Sequence, residues 1–362
     1  MRALARICLL LVLWTVGPAL PEHPALAEHN ADHIDRQMIR AAWLGRMDDV
    51  NRYLVLGANP NGSDDLGNTA LMRAAVGGHV GIMRRLFDVG ARVDAVNGDG
   101  RTALNWAASA GRIGAVEWLM LNGASLDRPA RDGDAPLMEA AYAGHLSVML
   151  ALLARGAQTD YRNVIGDTAL IYALKGRHRD AAFALLHAGA KAGIANDDGD
   201  SALHLAAIDG DMEMVAALVA AGADVNAANV LRRTPLMWAA LHSNTELVRA
   251  LIARGAQVNA RAGALDSGVS ALTLAAWTGN VAVVDVLLAA GASLDQRDDF
   301  GETALIWAAA SGRIEVVRRL LAAGADPALR GSKGADALEA AQEAGFTEVA
   351  TLLLEAQTAR QR

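Results

Sequence analysis

Thr69-Ala70-Leu71-Met72-Arg73-Ala74-Ala75-Val76-Gly77-Gly78-His79-Val80-Gly81-Ile82-Met83-Arg84-Arg85-Leu86-Phe87-Asp88-Val89-Gly90-Ala91 reads as two short helices parted by a glycine turn. Thr69 is placed to cap the first, its hydroxyl accepting from an amide that has no carbonyl partner at a helix start. Ala74 and Ala75 keep that helix thin, and Gly78 ends it. Ile82, Met83, Leu86 and Phe87 recur at three- and four-residue spacing, which gives the second helix one apolar stripe. Gly90-Ala91 stops it. Such a pair has a further apolar face with nothing to bury it, so it is stable only against a neighbour. The neighbours are in the chain: the cap position returns every 33 residues at Thr102, Ala135, Thr168, Ser201 and Thr234, steps 36 to Ser270, then 33 again to Thr303 and Asp336. Pro136 and Pro235 follow the cap position, where a missing amide costs nothing.

Between units, stretches such as Val93-Asp94-Ala95-Val96-Asn97-Gly98-Asp99-Gly100-Arg101 alternate apolar and turn-forming residues around glycine. They predict a hairpin-like finger with a glycine at positive φ. The expected fold class is therefore all-α, a solenoid of about ten helix–turn–helix units with hairpin fingers. One elongated domain runs over residues 35–356, with units starting near 36, 69, 102, 135, 168, 201, 234, 270, 303 and 336 and a C-terminal tail at 357–362. A composition of 53% hydrophobic but only 4% aromatic residues agrees, because its alanines suit close-packed short helices better than a sheet.

The N-terminus reads as an export signal. Arg2 and Arg6 precede an apolar run from Ile7 to Val16, and Ala25-Leu26-Ala27 forms a small-x-small cleavage site. A run this short does not span a bilayer, which takes about twenty residues, and Gly17, Pro18, Pro21 and Pro24 would break a helix after it. Residues 1–27 are thus expected to be a signal peptide, with a cut after Ala19 as the alternative, and 28–34 a short linker. The only cysteine, Cys8, lies in that leader, so the mature chain would carry no thiol and no lipid anchor. The expected location is the periplasm, with secretion as the alternative and no membrane insertion after cleavage. The whole chain has a net charge of −7, and 31 basic against 39 acidic residues remain after residue 27. No basic stripe tracks a phosphate backbone, which argues against nucleic acid as a partner.

Ser201-Ala-Leu-His204-Leu-Ala-Ala and, further on, Gly222-Ala-Asp-Val-Asn226 carry a resemblance to the ankyrin repeat family. Its pattern is Thr-Pro-Leu-His-x-Ala-Ala, then Gly-His, a Leu-Leu pair and Gly-Ala-Asp-Val-Asn. The resemblance covers about 320 residues in ten units. It implies protruding fingers, a concave groove lined by the first helices, and a role in binding other proteins. Some exported bacterial members resemble this chain in having a leader, and accompany redox or oxidative-stress enzymes as helpers.

His79, His145 and His178 recur at one position, and units stacked on the order of 10 Å apart cannot bring them onto one metal. They read as structural. His204 stands in the family's own slot and is expected to bond locally. Carboxylates gather in the fingers, among them Asp64, Asp99, Asp132, Asp134, Asp198 and Asp298, where aspartate closes tight turns on its own backbone; a cation site and an acidic edge that steers a basic partner are the alternatives. No phosphate loop, metalloprotease motif or nucleophile triad is present, so no catalytic residue, metal or cofactor is assigned.

Aromatic residues are more informative. The positions four and seven residues after the cap share a face of the first helix, and they hold Trp106, Tyr142, Tyr172, Trp238, Trp277 and Trp307. A continuous stripe along the groove is one reading, suited to the contacts in which Trp and Tyr dominate. Filling of the space between thin helices is the other. Trp118 belongs to a second helix and to the core. Departures from the pattern cluster in the Thr234 unit: Arg232 replaces the turn glycine, Ser243 replaces the interhelix glycine, and three extra residues fall within 257–268. Gly176-Arg177 is a second irregularity. Arg232, Arg233, Trp238, Leu241, His242, Leu265 and Trp277 thus form the candidate specificity region. The expected function is a non-enzymatic, monomeric scaffold that binds another protein, as a helper or protector of an exported enzyme; the alternatives are a secreted effector that binds a host protein and, least supported, an enzyme.

Overall fold

The computed structural model describes residues 27–360. The basic start, apolar run and Cys8 of the expected leader lie outside the described residues. Twenty α-helices form ten consecutive pairs among those described. Each first helix packs on its own second helix and on the first helix of the next unit, and second helices pack on second helices, which makes two layers. The end helices are longer than the inner ones. Ala27–Trp43 takes in residues 28–34, and Thr347–Arg360 continues through most of the expected tail. Neither stretch contains a Gly or Pro to stop a helix. Arg360 Nη1 bonds Asp326 at 2.7 Å and Gln357 Nε2 bonds the Pro327 carbonyl at 3.0 Å, which docks the last turns on the array.

Local chemistry sets the helix bounds. Thr69, Thr102, Thr168, Thr234 and Thr303 accept from the amide three residues on, at 3.3–3.4 Å. Gly78, Gly144 and Gly210 end their helices in the left-handed conformation. Between the layers, Leu71, Met83, Leu86, Leu104, Leu119 and Leu137 are fully buried, and the paired alanines let successive first helices approach.

Polar ladders join each unit to the next. Each finger donates one amide to a carbonyl of the finger before it, from Gly98 to Leu66 at 2.9 Å through to Ser332 to Phe300 at 2.6 Å. Beneath these, the Asn163, Asn196 and Asn229 side chains donate to Asp134, Asp167 and Asp200 of the preceding unit at 2.8–2.9 Å. These three aspartates act between units, whereas Asp64, Asp132 and Asp298 close their own turns as expected. The histidine slot is a third tie. His79 and His145 place Nε2 3.1 Å from the carbonyls of Trp43 and Ser109, and Arg112 and Arg313 reach the equivalent carbonyls of Val76 and Trp277. Their rings lie over Gly45 and Gly111, where a Cβ would overlap them.

His204 does bond locally, and also across units. Its Nδ1 accepts from the Ser201 amide at 3.2 Å and its Nε2 donates to the Arg233 carbonyl at 3.1 Å, so the ring is neutral with the proton on Nε2. Burial pushes its pKa below the usual histidine value, against the smaller pull of the Arg233 carbonyl. The unfolded chain therefore takes up the proton first. Stability is full above the unfolded value of 6.5 and falls as the pH drops below it, by at most about 1.4 kcal/mol per pH unit. Asn105 makes the same pattern in its own unit, accepting from the Thr102 amide at 2.9 Å and donating to the Asp134 carbonyl at 3.2 Å. His204→Asn is expected to keep the bonds and remove this acid sensitivity. Urea midpoints at about pH 7 and pH 5 should differ less in the variant; an unchanged difference would refute the assignment.

Candidate functional site: the floor between first helices and fingers

Two register positions build one face of the array. Four residues after the cap stand Arg73, Trp106, Glu139, Tyr172, Leu205, Trp238, Leu274 and Trp307; seven after stand Val76, Ser109, Tyr142, Lys175, Ile208, Leu241 and Trp277, with Trp43 in the first unit. The first row is tied to the fingers. Arg101 lies over the Trp106 ring, 5.0 Å from its centroid, and Arg233 lies over Trp238 at 4.6 Å. Trp307 Nε1 donates to Asp298 at 2.7 Å, and Arg73 pairs with Asp64 at 2.9 Å. The second row is the more open: Tyr142 is 45% and Trp277 46% exposed and Trp43 and Lys175 are exposed too, while Val76, Ser109, Ile208 and Leu241 are half-buried.

The expected stripe is therefore divided. Tyr142 and Trp277 face outward and Leu241 is half-buried beside them, while Trp106, Trp238 and Trp307 are half-buried under finger residues. Tyr172 does not line the open face. It is buried, its hydroxyl donating to Asp134 at 2.9 Å and its ring 5.5 Å from that of Tyr142. An acceptor supplied by the preceding finger draws it inward. Trp118 is in the core as expected, edge-on to Phe87 at 5.5 Å.

The floor changes character along its length. From Asp64 to Lys175 it is charged, with the pairs Arg73–Asp64, Arg101–Glu139 and Lys175–Asp167. From Leu205 to Trp307 it is apolar: Leu205, Ile208, Trp238, Leu241, Trp277 and Trp307, with Leu274 buried beneath. In the charged part, burial, reinforced by Asp134 and Asp132 against the attraction of Arg101, pushes the Glu139 carboxyl up to about 7. Arg101 Nη2 lies 2.5 Å from Glu139 Oε1 as an ion pair, yet that oxygen accepts no hydrogen bond of good geometry. Trp106 Nε1 and Trp238 Nε1 are also buried without a partner. These three are the buried side-chain atoms without a hydrogen-bond partner among the described residues, and all lie in the first row.

The irregular unit keeps the regular backbone with irregular residues. Arg177, Arg232, Ser243 and Ser267 are left-handed, with φ of 55–59°, a conformation that costs a non-glycine residue about 1–2 kcal/mol. The extra residues are Ala264-Leu265-Asp266, which form a 3-10 turn. The finger ladder passes on both sides of it, Gly263 to Leu231 at 2.7 Å and Asp299 to Ser267 at 2.9 Å. Leu265 is left at the tip, 85% exposed, and Asp266 folds back to hold Arg233 through both side-chain oxygens, with Nη2 at 2.7 Å. Arg233 in turn covers Trp238, against which His242 stacks at 6.1 Å. Arg233, Trp238 and His242 thus form one stack, with the Leu265 loop clamped to it and Arg232 exposed at the turn. Leu241 and Trp277 continue the same face, whereas Trp106 and Tyr142 lie three or more units away. Asp266 and Glu139 had no signal in the repeat pattern; only the 33-residue offset of Asp266 from Arg233 hinted at their pairing.

The family profile for ankyrin repeats matches residues 38–130, 115–195, 181–262 and 272–361, nearly the whole array. The chain is an ankyrin-repeat protein. Ankyrin arrays are protein-interaction scaffolds, and the floor described above is the groove between their first helices and fingers. No curated protein matches the chain. No helix among the described residues is long and apolar enough to cross a membrane.

Proposed function

We propose that this ankyrin array is a non-enzymatic, exported scaffold that holds one protein partner along the apolar half of its groove, gripping it with Leu241, Trp277 and the Leu265 loop. The observation that carries the reading is the clamped stack of Asp266, Arg233, Trp238 and His242. It ties the exposed Leu265 loop to the first helix of its unit, and a loop held before any partner arrives has a lower ordering cost on binding. The leader features read from residues 1–27 support export, and the resemblance to exported helper proteins supports assistance to a redox or stress enzyme.

Trp277→Ala and Leu265→Asp alter exposed side chains and should leave the circular dichroism spectrum unchanged. Each is expected to weaken capture of the partner from cell extract by about tenfold or more, the loss typical of a central hot spot. Undiminished capture by both folded variants would refute the groove reading. Recovery of the protein in a periplasmic extract supports the helper role; recovery in the culture medium alone supports the effector.

A further inference from the structure

Resting on the groove reading above, we propose that the partner presents an extended segment with unlike ends, a basic side chain over Glu139 and apolar side chains over Leu241 and Trp277. The charged half of the groove is not neutral at its centre. Asp132, Asp134 and Glu139 face a single guanidinium, Arg101, whose Nη2 lies 2.5 Å from Glu139 and 3.9 Å from Asp132. Among the described residues Arg131, at the tip of that finger, forms no ion pair with any of them. The neighbouring carboxylate, Asp167, is already matched by Lys175. Three carboxylates against one guanidinium leave this cluster short of cations.

A second observation points to the same place. Glu139 Oε1 is buried and its contact with Arg101 lacks hydrogen-bond geometry, and Trp106 Nε1 in the preceding unit has no hydrogen-bond partner. Buried polar groups are almost always paired in folded proteins, and here the exceptions line the groove floor. A guanidinium or ammonium seated beside Tyr142, whose exposed ring neighbours the cluster through Tyr172, would offset the excess of carboxylates and lie against an aromatic face. Arg101 over Trp106 already shows that the groove holds a cation in this manner.

Spacing fixes the rest of the segment. The Ala135 unit, which carries Glu139, stands three units before the Thr234 unit, which carries Leu241. At about 10 Å per unit the separation is roughly 30 Å, spanned by about nine extended residues. Extended chain suits the floor, because each unit offers the same two positions in turn.

The test uses the full chain and a fluorescein-labelled synthetic peptide with two arginines, about nine Gly/Ser residues and a Leu-Phe-Leu end, followed by fluorescence anisotropy. The arginine peptide is expected to bind about tenfold tighter than its glutamate counterpart or one whose spacer is about three residues. Glu139→Gln should shrink the arginine preference to about threefold or less. Asp132→Asn, a change at a more exposed carboxylate, should shrink it in part and serves if Glu139→Gln folds poorly. Equal binding of the arginine and glutamate peptides, no binding of either, or a preference unchanged in both variants would overturn the inference. If that happens while Trp277→Ala still weakens capture of the natural partner, the groove reading stands and only the basic end is wrong.

Discussion

Asp167→Ala is expected to lower the unfolding free energy by about 3 kcal/mol, the largest effect of any single polar substitution in the array. Asp167 has no exposed surface. One oxygen accepts from Lys175 Nζ at 2.5 Å and the other from Asn196 Nδ2, in the next unit, at 2.9 Å. Lys175 is one-third exposed and can turn to water, so its loss costs little. Asn196 is buried and cannot, so an unpaired amide is left at the boundary between two units. Asp167→Asn should cost about half as much, since it removes the charge but keeps an acceptor for Asn196. Asn68 does this naturally, accepting from Asn97 at 2.9 Å. Urea denaturation followed by circular dichroism distinguishes the accounts. Equal losses for Ala and Asn would show that the Lys175 pair dominates and that the asparagine ladder contributes nothing. Because units couple only to their neighbours, hydrogen exchange should locate the weakening in the Thr168 and Ser201 units and leave the ends unchanged.

The asparagine ladder also shows why some features of the array were legible in the chain and others were not. Caps, glycine stops and core positions depend on residues within one unit, so Thr69, Gly78 and Leu86 could be read from a single copy and checked against the rest. The structural role of His79 and His145 was legible from repetition, but their acceptors, carbonyls 36 residues earlier, come from the stacking of units. The aromatic stripe was half legible for the same reason. Whether a ring in the first row is open depends on what its own finger or the one before offers it. Asp298 ties Trp307, Arg233 covers Trp238, and Asp134, 38 residues back, draws Tyr172 inside. The division of the groove into charged and apolar halves is visible in the residues once the two rows are aligned. A pattern search weights what recurs, and this division is what does not.

The irregular unit yields the second large effect, and it concerns two departures that the chain presents separately. In regular fingers the turn glycine lies against the next finger: a Cβ on Gly67, Gly100, Gly133 or Gly199 would stand 2.7–3.0 Å from that finger's main chain. Arg232 occupies the same position with a full side chain, and the finger after it is the one lengthened by Ala264-Leu265-Asp266. Beneath Arg232 that finger presents Gly263, where a Cβ would lie 3.5 Å from Arg232 Cγ. Arginine at the turn and the longer finger thus belong to one adaptation. Deleting 264–266 alone is expected to cost about 3 kcal/mol, because a finger of ordinary length meets Arg232 and because Arg233 loses its carboxylate partner. Arg232→Gly alone should stabilise by up to about 1 kcal/mol through relief of the left-handed backbone. Combined, the deletion and Arg232→Gly should recover about 1 kcal/mol more than the sum of the two predicts, leaving the lost Arg233–Asp266 pair as the residual cost. Strict additivity of the urea midpoints would show that the two departures arose independently. The double variant has a further use, because it restores the ordinary finger while removing Leu265. If it folds with only that residual loss yet captures no partner, the longer finger exists to present that side chain, and the left-handed arginine is the structural cost of doing so.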